Sequence, residues 1–261
     1  QFPLGVVLFP SMVLPLHVFE PRYRMMVQRV LETDGRFGVV LIERGSDVGG
    51  GDVRTRFGTV AHVVEAEQFS DGRWALTTVG VERFKVNAWL DDDPYPVADV
   101  ELWPDPELTS DLRTSYEQVL AKFRRCMALA SESGVNVGPL PAELADVELG
   151  CMQMSALAPL ATFDKQSLLG AAGPAERLPM LDGMLDDAIT LIQLRLTEDE
   201  LRALRDSLDP DDHALLVLRL DRKMAWKDIA RALAEIVRVS ADLKPMRCVP
   251  PSIVLMLLAN E

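Results

Sequence analysis

The chain has 261 residues, 48% of them hydrophobic, and a formal charge of −13 from 27 basic and 40 acidic side chains. That length and apolar content suffice for at least one large core and favour two compact units, while the acidic balance excludes a surface that broadly neutralises phosphate, which needs clustered Lys and Arg. Three widely spaced cysteines, Cys126, Cys151 and Cys248, encode neither a disulfide framework nor a zinc site, and the apolar run that starts at Ser252 is far shorter than the ~20 residues a membrane span requires.

The cysteine usage points to a reduced, cytoplasmic setting without membrane attachment. No basic-then-apolar signal segment precedes Phe2, and a chain that opens on Gln1 rather than Met leaves room for residues ahead of it.

From residue 2 to about residue 100 the signals are those of a sheet. Short runs rich in Val, Phe and Thr at 36–42, 59–64, 74–79 and 83–86 are separated by AspGly, GlyGly and Pro punctuation. The AspGly pair at 71 and 72 supplies the positive φ of a tight hairpin, so the strands over 59–67 and 74–79 are expected to pair. One helix interrupts the sheet. Pro21 suits a first helical position, Glu20 complements the positive end of the helix dipole, and Tyr23, Met26, Val27, Val30 and Leu31 recur at helical spacing until Asp34 and Gly35 stop them.

Residues 14–25 crowd His17, Glu20, Arg22, Tyr23 and Arg24 together. The capping signals make this a joint between a strand and a helix. No Ser or Cys pairs with a base and no HExxH spacing occurs, so no catalytic, cofactor-binding or metal-ligating residue is expected and no cofactor is implied. Gly49, Gly50 and Gly51 lack the LysSer or LysThr of a phosphate cradle and read as a hairpin loop.

After the Asp- and Pro-rich segments 91–96 and 103–106 the apolar period changes from two to about 3.6. Leu112, Tyr116, Val119, Phe123 and Met127 share one helical face, as do Leu178, Leu181, Leu185, Ile189, Ile192 and Leu196. Helices are expected near 109–131, 143–156, 164–170 and 177–196, the last with Pro179 in its first turn. The fold class is α+β: a β-rich lobe over residues 1–106, a helical lobe over 107–197, and an extra C-terminal helical segment over 198–261.

The stretch PLGVVLFPSMVLPLHVFEPRYRMM at 3–26, followed by DGRFGVVLI at 34–42, GSDVGGGD at 45–52, FGTV at 57–60, DGRW at 71–74, GVERFKV at 80–86 and DKQSLL at 164–169, resembles in order the Lon N-terminal domain, the substrate-binding module of Lon proteases that also occurs as a standalone bacterial protein. The resemblance covers about residues 1–197. It implies a β-barrel-like, PUA-like N-terminal lobe followed by a helical bundle, and binding of unfolded or client proteins rather than catalysis, alone or beside a protease or chaperone. Neither the GxxxxGKS or GxxxxGKT of an ATPase nor a Ser-Lys protease domain fits in what remains. The two lobes would form a groove for exposed apolar segments. Phe9, Met12 and Phe19 are the candidate contacts, against a competing reading in which they are core, the place expected of Phe19.

From Leu201, LRALRDSLDPDDHALLVLRLDRKMAWKDIARAL resembles the first part of the helix-turn-helix of sigma factor region four. Asp209 and Pro210 open one helix and residues 226–233 fit the next, but Pro245, Pro250 and Pro251 break the basic recognition helix that should follow. A real fusion, a degenerate appendix and an out-of-frame join all fit these residues. The alternative function is DNA binding through this tail, with Arg222, Lys223, Lys227 and Arg231 as candidate contacts, although residues 198–261 hold ten basic against twelve acidic side chains.

Overall fold

A computed structural model describes residues 1–45, 52–108, 112–135 and 147–207, with 137, 144, 228 and 231. It divides into two units, Gln1–Gln193 and Leu194–Glu261. In the first, six strands form one sheet: β1 (Phe2–Leu4), β2 (Val13–Val18), β3 (Arg36–Arg44), β4 (Val53–Gln68), β5 (Trp74–Leu90) and β6 (Val97–Leu102). The order is β1-β3-β4-β5-β2, with β6 also on β5. Only β1 and β3 run parallel. The backbone nitrogen of Gln1 donates to the Pro96 carbonyl at 2.7 Å, so the start of β1 meets the entry to β6 and the sheet curls toward a barrel.

The hairpin expected at AspGly forms. Gly72 takes φ +81° and β4 pairs antiparallel with β5 from Gln68↔Trp74 onward. Two differences from the sequence reading concern continuity. The runs 74–79 and 83–86 belong to one long strand, because the residues between them form a bulge rather than a break. β6 is a strand that the flanking Asp and Pro clusters concealed. Pro15 sits inside β2, where its missing N–H is tolerated because β2 pairs with β5 alone.

Helix α1 (Pro21–Leu31) packs Tyr23, Met26, Val27 and Val30 against Leu16, Val18, Phe37, Val39 and Leu76. Burial of one side chain of this size contributes about 1.5–3 kcal/mol. The next residue of β3, Val40, joins Phe84 and Val86 in a second cluster. β3 is therefore buried on both faces, which is why it reads as a continuous apolar run.

The helical part comprises α2 (Arg113–Glu132), α3 (Val147–Leu157), α4 (Thr162–Gly170) and α5 (Pro174–Ser207). Its expected faces are buried: Tyr116, Val119, Phe123 and Met127 on α2, and Leu178, Leu181, Leu185, Ile189 and Ile192 on α5. Lys122 of α2 bridges Asp182 and Asp186 of α5 at 2.6 and 2.7 Å. Helix α5 is longer than expected and opens on Pro174, ahead of the expected start at 177. Pro179 lies inside it, past the first turn, where its ring removes one main-chain bond. The loop expected at 49–51 lies outside the described residues. Among the described residues no helix is long and apolar enough to cross a membrane.

Candidate functional site

Strand β5 changes neighbours halfway along one edge. Residues Trp74 to Val79 pair with β2, while Phe84 to Leu90 pair with β6. Between these two partners Val81 and Glu82 are absent from every register of the sheet, and on the β4 side three steps of β5 (Gly80 to Arg83) oppose two of β4 (Ala61 to Thr59). This extra residue is a β-bulge. It reverses the face on which side chains land: Leu76 joins the core under α1, but Phe84, of the same parity, joins the second cluster.

The reversal aims Arg83 at the helical part. Its Nη1 donates to the Leu169 and Ala171 carbonyls at 2.6 and 2.7 Å, and its Nη2 reaches Asp105. Arg177 of α5 donates Nε to Leu168 O at 2.9 Å and holds both Asp105 oxygens, at 3.0 and 2.9 Å. These carbonyls end α4, where four acceptors lack helical donors and the dipole is negative. Two buried guanidiniums, 4% and 0% exposed, thus cap one helix and share one carboxylate. Burial, with the nearby Arg177 charge, pulls Arg83 down to about 10, still protonated at neutral pH. Burial also pushes the neighbouring Cys151 thiol up to about 11, which favours the protonated thiol at neutral pH. Beside this hub Gln166 of α4 donates to Phe57 O at 2.9 Å, and a Cβ on Gly170 would lie 2.8 Å from the Phe57 ring, so α4 lies directly on β4.

Where β2 and β6 part, a cleft of about 350 Å³ opens between sheet and helices. Val81, Leu102, Trp103, Leu149 and Met152 supply apolar lining, with Glu82 and Glu148 beside them. Val81, Leu102 and Leu149 are exposed. The arrangement combines apolar walls with carboxylates. Among the described residues no group of three or more His, Cys, Asp or Glu is placed to hold a metal ion.

The residues proposed from the sequence fall elsewhere. Phe9 is 1% exposed and is corrected to a core residue: the turn from Phe9 to Met12 is clasped onto β5, Ser11 N donating to Gly80 O at 2.8 Å, which drives Phe9 inward. Met12 is half-buried against the first cluster. Phe19, expected in the core, is 52% exposed, because Leu16 and Val18 take the inward face of β2 and leave the odd positions outside. It lines a smaller hollow of about 130 Å³ with His17, Phe69, Arg73 and Trp74. Arg222, Lys223 and Lys227 lie outside the described residues. Arg231 is exposed and stands 3.8 Å from Asp228, one helical turn away.

Residues of the chain match a known family over 1–187, described as the ATP-dependent protease La (LON) substrate-binding domain. The chain is 25% identical over 253 residues to the Lon protease of Methylocella silvestris, covering 92% of this chain and 30% of that protein. It is 26% identical to the Lon protease of Escherichia coli K12, covering 72% of this chain and 24% of that protein. It thus spans less than a third of the length of these relatives. Among solved structures, the Lon N-terminal domain protein from Xanthomonas campestris superposes with a TM-score of 0.54 at 26% identity, covering 69% of this chain and 94% of that one.

Proposed function

The chain belongs to the family of the Lon substrate-binding domain, and on that premise we propose that it is a non-catalytic module that holds exposed apolar segments of client proteins in the cleft between its sheet and its helices. One observation carries the reading: Val81, Leu102 and Leu149, from three different elements, leave apolar surface exposed around a single opening. Concave apolar surface left uncovered is the mark of a binding site. The bulge sets its floor and the arginine hub fixes the helical wall opposite.

Retention of a reduced, unfolded model protein on the immobilised chain tests this. Leu149→Asp puts a carboxylate on a solvent-facing helix position, so the fold persists while retention drops about tenfold. Phe19→Asp, in the other hollow, should bind like the wild type. The reverse result would move the site to Phe19, and equal retention by both variants would end the apolar-segment reading.

A further inference from the structure

We propose that Gly150 and Tyr116 together fix the width of the cleft, and through it the largest client side chain that the cleft admits. The inference rests on the cleft being the client site and adds the pair of residues that sets its size limit.

Helix α3 brings Glu148, Leu149 and Met152 to the cleft. At 3.6 residues per turn, Gly150 points about 150° away from the mean direction of those three, so it lies on the back of the wall they form. There it meets α2. Gly150 is buried, and a Cβ built on it would overlap the Tyr116 hydroxyl and lie 2.9 Å from the ring carbon Cζ. Tyr116 is a firm stop, because it is 3% exposed and its Oη donates to the Leu144 carbonyl. A glycine inside a helix is disfavoured against alanine, and the close approach of this hydroxyl accounts for the one found here.

Contact at the back of α3 decides its position at the front. Protein interiors are close-packed, so a methyl group added against a held ring is accommodated by a shift of backbone. A push on the Gly150 side drives α3 forward, carrying Leu149 and Met152 toward Val81 and Leu102 on the sheet side of the cleft. The cleft, at about 350 Å³, is near the lower end of the range of about 300–1,000 Å³ for ligand pockets, and a small advance of one wall excludes the largest side chains first. With glycine at 150, α3 stands back far enough for an aromatic side chain.

Fluorescence anisotropy on the full chain tests the limit, with three labelled peptides that differ only at one central residue, Ala, Leu or Trp. The wild type should bind the Trp peptide most tightly and the Ala peptide least, in the order of apolar area buried. Gly150→Ala should weaken the Trp peptide about tenfold and leave the Ala peptide within about twofold, the discrimination that a small change in an apolar pocket gives. Adding Tyr116→Phe to Gly150→Ala removes the hydroxyl that the methyl group meets, and should bring the Trp peptide back to within about threefold of wild type. A purely structural role would lower the melting temperature of Gly150→Ala and scale all three affinities together, and that result would overturn the proposal. Should Gly150→Ala alone fail to fold, the double variant decides: a recovered fold with near-wild-type Trp affinity supports the size limit, while a double variant that stays unfolded, or folds without the size preference, overturns it. Peptides lost in Leu149→Asp but bound by Gly150→Ala with the wild-type size preference would leave the cleft reading standing and end the size limit. Failure of every peptide to bind the wild type would sink the cleft reading and this inference with it.

Discussion

The sheet is covered in two different ways. Under α1 the contact is apolar throughout: Tyr23, Met26, Val27 and Val30 fill space against Leu16, Phe37, Val39 and Leu76. At the helical part, Arg83, Arg177 and Asp105 are joined by directed bonds to the end of α4. Apolar packing is satisfied by volume, and volume can be rearranged. A fork of N–H groups that must meet particular oxygens cannot, so the second contact sets orientation where the first sets compactness. The cleft lies beside the contact that sets orientation.

Conservative changes at the two places should separate these roles. Arg177→Lys keeps the charge but cannot span Asp105 and Leu168 O together, and is expected to cost about 3 kcal/mol or more in urea denaturation, with loss of client binding. A cost below about 1 kcal/mol would make the hub ornamental.

The apolar end shows itself instead at high pH. Burial pushes the Tyr23 phenol from its usual 10 up to about 12. Because the folded value is raised, the favourable term is complete below pH 10 and is lost as pH rises through about 12, the unfolded phenol ionising first. The loss approaches about 2–3 kcal/mol at the top of that window. Tyr23→Phe should flatten this part of the melting-temperature profile relative to wild type; parallel profiles would mean that the ring is solvated.

Met26→Leu, a change of shape at nearly constant volume under α1, should cost less than about 1.5 kcal/mol and leave peptide binding unaltered. Equal penalties for Met26→Leu and Arg177→Lys would erase the distinction between the two contacts.

Smallest of all is Glu20→Ala. Glu20 precedes α1 but makes no side-chain cap; it pairs with Arg22 at 3.1 Å. A drop of about 0.5 kcal/mol is expected from the ion pair and the helix dipole together, with client binding intact.

Local chemistry made much of the fold readable. Pro21 opens α1 as its ring geometry requires, AspGly turns the long hairpin, and β3 announced its two-sided burial by an unbroken apolar run. Phe19 was misplaced: expected in the core, it lies outside because inward Leu16 and Val18 set an alternation that excludes it. The hub was not legible. Arg83 and Arg177 look like any surface cation in strand and helix, and the bond from Arg177 to Asp105 spans 72 residues. A groove between the lobes was expected, but its lining was not legible, since Val81, Leu102 and Leu149 become neighbours only when β5 has bulged and α3 has packed. A residue that fails to pair carries no composition of its own.

The bulge has a further consequence in genetic terms. Gly80 faces Ala61 and Arg83 faces Thr59, so β5 holds one residue more than its partner across this interval. Loss of a single codon, for Val81 or for Glu82, would leave both flanking registers unchanged, with Arg83 still opposite Thr59 and the hub still in reach. The two halves of the strand would close into a regular ladder, and only the floor of the cleft would be gone. This site is one insertion deep: a lineage can acquire or discard it in one mutational event while the rest of the fold is inherited intact.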